Sequence, residues 1–416
     1  WLAVAVVAAI PYVLAGYGTE STLSHPVNAV VDSMSGFTTT GITMLSGLDT
    51  MPLSILFWRS LTQWIGGLGI LTFFLLLVFK GGTSHRLFKA ESHKIFSERP
   101  APGMFSTLRI LWSIYILFTA ITAILLYVQG VSVFGSITHA LTTLSTGGFS
   151  PHDASIDYFR QSGSVNYRWI EWTIIFSMML GGTSFVVHYR LLRGEFKALW
   201  RGAEIKLWWK LIAGGFLLVT ISHIVEFGIG DLLELSRYSL FQTVSIITTT
   251  GFSTKSISSS FFPALAKQVF LIFMFIGGCV GSTGGGIKVL RIGILGKMIG
   301  REVKKLSLPR RAVNPLIIGG KELEKEEIMR ISSLFFAWVS LLVAGGMITA
   351  LFSDLEPFAA FSGMFSALGN IGPSYISHSE MINLHPIIKT TFILGMLAGR
   401  LEILPVLLLF SKRAWK

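Results

Sequence analysis

The sequence predicts an all-α polytopic membrane protein, built as four span–pore-helix–filter–span repeats around a pseudo-fourfold central pore. Three observations carry that prediction. The first is composition: 51% of the residues are hydrophobic, 13% are charged and the mean hydropathy is +0.65, whereas a soluble domain has about 25% charged residues. The second is a recurrence of apolar runs of spanning length. The third is a Thr/Ser/Gly-rich stretch that appears four times: Thr38–Thr43, Ser145–Ser150, Thr248–Ser253 and Gly369–Ser374. Aligned on Gly41, Gly148, Gly251 and Gly372, the four are spaced 107, 103 and 121 residues apart. An internal repeat of that period outweighs any single motif.

The runs Ile55–Phe79, Ile110–Val128, Trp169–Tyr189, Leu207–Phe227, Val269–Leu295, Ile331–Phe352 and Ile387–Phe410 each offer the roughly 20 residues a bilayer requires. Trp1–Gly16 is shorter, starts without Met and lacks a basic leader region. It reads as a truncated first span rather than a signal peptide, with residues or helices expected upstream. About eight spans result. The repeats are expected at residues 1–80, 81–190, 191–300 and 301–416.

Within each repeat, a short apolar helix precedes the Thr/Gly stretch: Val27–Phe37, Val133–Leu144, Leu233–Ile247 and Pro357–Leu368. These are too short to cross, so each is expected to enter from the outside and return. Non-helical backbone at membrane depth needs protein or a water-filled cavity around it, and four re-entrant segments about one axis satisfy each other.

The charge is +12 overall, and its placement excludes nucleic-acid binding as the better explanation. The segments after spans two, four, six and eight, with the adjoining span ends, carry 26 of the 34 Lys and Arg against nine acids. The opposite side carries seven against twelve. That asymmetry places the basic loops in the cytoplasm, with the protein in the cell membrane. A single cysteine, Cys279, rules out a disulfide framework. The nine histidines show no metal-ligand spacing, and no His/Asp/Glu/Cys cluster at membrane depth points to an enzyme.

The stretches themselves suit a dehydrated monovalent cation. Rings of backbone carbonyls supply several oxygens without fixed charge, glycine opens backbone conformations closed to other residues, and Thr and Ser add hydroxyls. No Asp, Glu, Lys or Arg occurs in the four stretches, unlike the carboxylate rings of divalent pores or the basic rings of anion pores. The candidate filter residues are Thr39, Thr40, Gly41, Thr146, Gly147, Gly148, Thr249, Thr250, Gly251, Asn370, Ile371 and Gly372. For one such run, an ordinary loop or a helix-packing site would be the better reading; four in register favour a filter.

The sixth span carries six glycines within ten residues: Gly277, Gly278, Gly281, Gly284, Gly285 and Gly286, enclosing Ser282 and Thr283. Each costs about 1 kcal/mol relative to Ala in a helix, so a pore-obstructing loop or a kink is expected there. The stretch mimics a phosphate-binding loop, but Lys288 comes one residue late and Val289 stands where Ser/Thr is needed. Arg400 lies in the last apolar run and is a functional candidate by its intramembrane charge. It is expected to point toward the glycine loop rather than to pair with Glu402, because i,i+2 residues do not face each other on a helix. Only the third repeat is expected to break its second helix. Lys288–Arg330 is the largest cytoplasmic connection, read either as a lipid-headgroup-facing loop or as a docking segment.

These residues closely resemble the Trk/Ktr/HKT superfamily of potassium transporters, specifically the membrane (pore) subunit of prokaryotic Trk/Ktr systems. Besides the four filters, the resemblance includes Arg59-Ser60-Leu61-Thr62-Gln63-Trp64-Ile65-Gly66-Gly67, Gly277–Lys288 and Gly399-Arg400-Leu401-Glu402, and it extends over essentially the whole chain. It implies potassium uptake through four non-identical repeats, a gate at the glycine loop, a homodimer, and a cytosolic regulatory ring that binds nucleotide. Potassium is then the transported ion, with no organic cofactor in this chain. Sodium-preferring plant members have Ser for the first filter Gly, so Gly41 implies potassium preference. Gly147 in place of Thr, and Asn370-Ile371 before Gly372, are departures from the filter pattern. A symporter coupling potassium to sodium or protons is the competing mechanism, with Glu402 and, more weakly, Asp32 as the available carboxylates.

Overall fold

The computed structural model describes residues 1–16, 25–79, 103–309, 314–403 and 406–407. The basic segment after the second span, at 80–102, and most of the predicted eighth span beyond 403 lie outside the described residues. The first repeat contains α1 (Leu2–Ala8), α2 (Ile10–Gly16), the re-entrant α3 (Pro26–Phe37) and α4 (Leu53–Phe79). The second contains α5 (Met104–Val128), the re-entrant α6 (Val133–Leu144), the short α7 (Tyr158–Gln161), α8 (Tyr167–Gly182) and α9 (Phe185–Leu192). After α10 (Ala198–Arg201), the third contains α11 (Ala203–Phe227), the re-entrant α12 (Leu232–Ile247), α13 (Ala264–Phe275) and α14 (Val289–Leu306). The fourth contains α15 (Lys325–Leu351), the re-entrant α16 (Pro357–Gly369), α17 (His378–Asn383) and α18 (Pro386–Arg400). The only strands among the described residues form a two-residue hairpin, Ile317–Ile318 with Lys321–Glu322.

The four re-entrant helices match their predicted limits within a residue, because each is bounded by strong local signals. Pro26 and Pro357 open α3 and α16, where a missing N–H costs nothing. Ser132 caps α6 by accepting from Gly135 N, and Asp231 caps α12 by accepting from Leu233 N and Glu234 N.

Three described helices are long and apolar enough by themselves to span: Phe105–Val128, Ala203–Phe227 and Lys325–Leu351. Only 28%, 22% and 33% of their most apolar windows are buried within the chain. The remaining apolar surface, including Ile124, Leu217, Ile221 and Met347, faces outward, as it must toward lipid.

Three predicted spans depart from continuous helices. The sixth breaks fully between α13 and α14, as its glycines predict. The fourth breaks too, with α8 and α9 bent by 106°, so the expectation that only the third repeat breaks its second helix is corrected. The reason is tertiary: the freed carbonyls of Gly181 and Gly182 accept from Thr283 N (3.2 Å) and Cys279 N (3.0 Å) of the glycine loop. The eighth ends its helix at Arg400, where Leu401 leaves the helix and Glu402 takes a left-handed φ of 59°.

Packing follows a cyclic order. Each re-entrant helix touches helices of its own repeat and the second span of the preceding repeat: α6 meets α4, α12 meets α8, α16 meets α13, and α3 meets α18. One buried core joins the second and third repeats through Ile175, Trp208, Phe241 and Phe270. Another joins the first and fourth through Met34, Trp338, Met364 and Phe392.

Candidate functional site

The four filter stretches adopt one backbone conformation four times. The residue two before each aligned glycine is left-handed: Thr39 (φ 51°), Thr146 (53°), Thr249 (59°) and Asn370 (54°). The glycines are left-handed as well, at 87°, 75°, 86° and 101° for Gly41, Gly148, Gly251 and Gly372. Such angles are strained for non-glycine residues. Hydrogen bonds back to the re-entrant helices hold them: Thr40 N to Ser35 O (2.8 Å), Gly147 N to Thr142 O (2.9 Å), Thr250 N to Ser245 O (2.9 Å) and Ile371 N to Ser366 O (3.0 Å).

The stretches also close on each other. A Cβ added to Gly41 would stand 2.4 Å from Gly147 O, one on Gly148 2.0 Å from Thr250 O, one on Gly251 2.0 Å from Ile371 O, and one on Gly372 2.8 Å from Thr40 O. Each glycine therefore lies against the carbonyl that precedes the glycine of the next repeat, and the fourth returns to the first. This ring brings all twelve sequence-predicted filter residues together. On one side it opens into a cavity of about 590 Å³, lined by all four aligned glycines and, farther out, by His152, Asp153 and Asp157.

On the opposite side lies the glycine loop between α13 and α14. Its arms are tied by Gly277 N to Ile287 O (2.9 Å) and Ile287 N to Phe275 O (3.2 Å). A Cβ on Gly277 would fall 1.7 Å from Gly285 O, so the arms approach as only glycine permits. The tip reaches the base of the filter ring. Gly285 N donates to Thr249 Oγ1 (2.7 Å), and Thr146 Oγ1 lies 3.3 Å from Thr283 Oγ1. Thr283 Oγ1 also lies 2.9 Å from Leu144 O, at the end of α6. Gly284 comes beside Thr248 O, with an added Cβ 3.2 Å away, and Gly278 beside Gly182 O at 2.9 Å. Gly281 and Gly286 turn the loop with φ of 74° and 63°, Ser282 is buried within it, and Lys288 Nζ donates to Gly284 O.

Arg400 completes this arrangement. It is 2% exposed and donates from Nη1 to Thr283 O (2.7 Å) and from Nη2 to Gly66 O (2.8 Å). It does not pair with Glu402, whose Oε2 accepts from Arg291 Nη2 at 2.5 Å. Asp32 accepts from Arg59 Nε (3.1 Å), Thr43 Oγ1 (2.8 Å) and Met44 N (3.2 Å).

Two polar residues at the site, the half-buried Glu204 and the buried Gln63, lie outside the predicted set. Glu204, in the first turn of α11, accepts on one carboxylate oxygen from Val280 N (2.8 Å) in the loop and Leu290 N (3.3 Å) in the first turn of α14. Gln63, in α4, holds the second filter stretch. Its signal was partly legible, since it stands in the motif entering the second span; Glu204 gives none, because only the fold brings α11 beside the loop.

The ring has the chemistry of a cation pathway. Thr39 Oγ1 and Asn370 Oδ1 are buried without a hydrogen-bond partner, and buried oxygens of that kind call for a donor or an ion. Among the described residues no group of three or more His, Cys, Asp or Glu could hold a metal ion.

Comparison with known proteins agrees with this geometry. Residues 1–415 match the family model for TrkH, a cation transport protein. The Trk system potassium uptake protein TrkH of Escherichia coli strain K12 is 35% identical over 424 residues, covering 100% of this chain and 84% of the relative. Its counterpart in Vibrio parahaemolyticus is 32% identical over 432 residues, covering 100% and 84%. The crystal structure of the potassium transporter TrkH from Vibrio parahaemolyticus superposes with a TM-score of 0.85 at 29% identity, covering 99% of this chain and 83% of that one. The apolar spans and these matches make the chain an integral membrane transporter, not an enzyme, and it belongs to the TrkH family of cation transport proteins.

Proposed function

We propose that the chain takes up potassium across the cell membrane through a gated, potassium-selective pore, with its basic loops in the cytoplasm. The observation that carries this reading is the closed ring, in which each aligned glycine packs on the carbonyl preceding the next one. Potassium as the cargo is supported by relatives whose names state potassium uptake and by Gly41, which keeps glycine at all four ring positions. The repeats at 1–80, 81–190, 191–300 and 301–416 each contribute one quarter of the ring. The twelve filter residues line the ion path from the outer cavity to the glycine loop.

The loop from Gly277 to Gly286, fastened by Arg400, is the gate in this reading. Its contacts with Thr146 and Thr249 support a position across the inner end of the ring, and a guanidinium beside it raises the barrier to a cation. Control by a cytosolic nucleotide-binding regulatory ring is supported by the relatives' designation as parts of a Trk system. Force on α14 would reach the loop through the backbone alone. The active form is a homodimer in the bilayer. Ion flux is uncoupled, since Asp32 and Glu402 are each committed to an arginine.

Reconstitution in liposomes tests the whole reading. Radioactive rubidium uptake, with sodium as competitor, should be potassium-selective and follow the membrane potential and the potassium gradient. It should respond to nucleotide only when the regulatory subunit is present. Sodium flux equal to rubidium flux contradicts the selectivity, and uptake against the combined gradient contradicts the uncoupled mechanism.

A further inference from the structure

Gln63 belongs to the first repeat, yet both ends of its buried amide serve the filter of the second. Nε2 donates to Gly147 O at 2.7 Å and Oε1 accepts from Phe149 N at 3.0 Å. The two contacts bracket Gly148, the left-handed glycine of that stretch. A Cβ on Gly147 would stand 2.3 Å from both Gln63 Cδ and Oε1, so Gln63 fills the place a side chain at 147 would take.

The other repeats solve the same problem differently. In the first and third, Thr40 and Thr250 stand at the position of Gly147, and their hydroxyls lie 2.8 Å from those of Thr38 and Thr248. In the fourth, Asn370 Nδ2 donates to Thr40 Oγ1 (2.9 Å) and Met396 O (3.0 Å). In the second, Ser145 turns its hydroxyl to Leu141 O at 2.8 Å and Gly147 has no side chain to offer. Gly66, Gly181 and Gly399 mark equivalent places on the second spans, each against the end of its re-entrant helix at Phe37 O, Leu144 O and Leu368 O. Three residues before them stand Gln63, Met178 and Met396. Of these three places only that of the first repeat holds an amide, and the stretch it reaches has glycine, Gly147, where the first and third have Thr40 and Thr250.

We propose that Gln63 is a specificity-determining positioning residue, which fixes the second filter stretch from the neighbouring repeat and thereby sets discrimination among monovalent cations. The proposal rests on the filter reading above. An amide is required because one site needs a donor and the other an acceptor. A glutamate would oppose oxygen to oxygen at Gly147, and a methionine would fill the space with neither function. With the bracket gone, the peptides on either side of Gly148 lose their fixed orientation, and carbonyl placement is what separates cations of different radius.

The test is rubidium uptake with sodium competition in liposomes, comparing the unaltered chain with Gln63→Met, Gln63→Glu, Gly147→Thr, Gln63→Ala/Gly147→Thr and Gly41→Ser. In Gln63→Met and Gln63→Glu, sodium should compete about tenfold more effectively while uptake persists. Gly147→Thr should lose uptake where Gln63 is retained and recover it, with discrimination, where Gln63 is Ala. Unchanged sodium competition in an inserted Gln63→Met protein overturns the proposal. If Gln63→Met does not insert, equal defects in Gly147→Thr and the double variant overturn it, and recovery in the double variant supports it. Altered discrimination in Gly41→Ser with none in Gln63→Met defeats the role of Gln63 alone, whereas no change in Gly41→Ser defeats the filter reading itself.

Discussion

Arg400 and Thr283 are 117 residues apart in sequence, and a guanidinium N–H of one donates to the carbonyl of the other at 2.7 Å. The second donor of Arg400 binds Gly66 O in the first repeat, so one side chain of the fourth repeat ties the loop of the third to the wall of the first. Hydrogen bonds from charged groups contribute about 1.5–3 kcal/mol each, enough to bias a two-state loop by at least tenfold.

Arg400→Ala should therefore raise rubidium flux by about tenfold or more, because it removes both the fastening and the positive charge. Liposome uptake without the regulatory subunit measures this directly. Equal or lower flux in a correctly inserted variant would contradict the gating role.

Gly41→Ser introduces a Cβ 2.4 Å from Gly147 O at a residue with φ of 87°. The first and second filter stretches must then separate, and the ring widens at that joint. Sodium should be admitted, with the potassium-to-sodium uptake ratio falling by about tenfold. An unaltered ratio would remove Gly41 from the selective layer.

Glu204→Ala leaves Val280 N and Leu290 N without their shared acceptor. Each stranded backbone donor costs about 1–3 kcal/mol, and one lies in the glycine loop and the other in the first turn of α14 that follows it, so closure of the loop should weaken and basal uptake rise. Glu204→Gln keeps a carbonyl oxygen at the same reach and should stay near the parent value. Equal behaviour of the two variants would show that the carboxylate does not hold the loop.

Asp32→Ala strands Arg59, which is 1% exposed and lies with its guanidinium carbon 4.1 Å from the centre of the Phe149 ring. Breaking a buried pair by removing one partner costs about 3–5 kcal/mol. The melting temperature of the detergent-solubilised protein should drop clearly, while Asp32→Asn, which keeps an acceptor, should drop less. A coupled transporter using Asp32 as its proton site would instead show stable protein with altered coupling.

What the sequence made legible was local or repeated. The re-entrant helices were readable to within a residue, since Pro26, Ser132, Asp231 and Pro357 stand at or beside their starts and the Thr/Gly stretches follow their ends. The interruption at Gly277–Gly286 was readable from glycine alone. The break between Gly182 and Phe185 was not, since its cause is a set of hydrogen bonds with a loop about a hundred residues away, and Trp169–Tyr189 has ample apolarity for an unbroken helix. The end of α18 at Arg400 was hidden for the same reason: the composition from Ile387 onward stays apolar, and the turn is set by what Arg400 and Glu402 each bind. Gln63 and Glu204 were missed as functional groups because their partners are backbone atoms, which no side-chain motif records.

The cyclic order of the ring also dictates when it can exist. Gly41 and Thr40 are seated by Gly147 and Gly372, and Asn370 reaches Thr40 across 330 residues of chain. The joints of Gly41 with Gly147 and of Gly148 with Thr250 need only the first three repeats, but those at Gly251 and Gly372 need the fourth, so the ring cannot close before the last repeat is made. It is completed in one late event, when the fourth re-entrant helix arrives, and until then the first three stretches face an open side. Contacts of such sequence separation form slowly. The newly inserted chain thus passes through a stage with its first three repeats in place and the ring still unclosed.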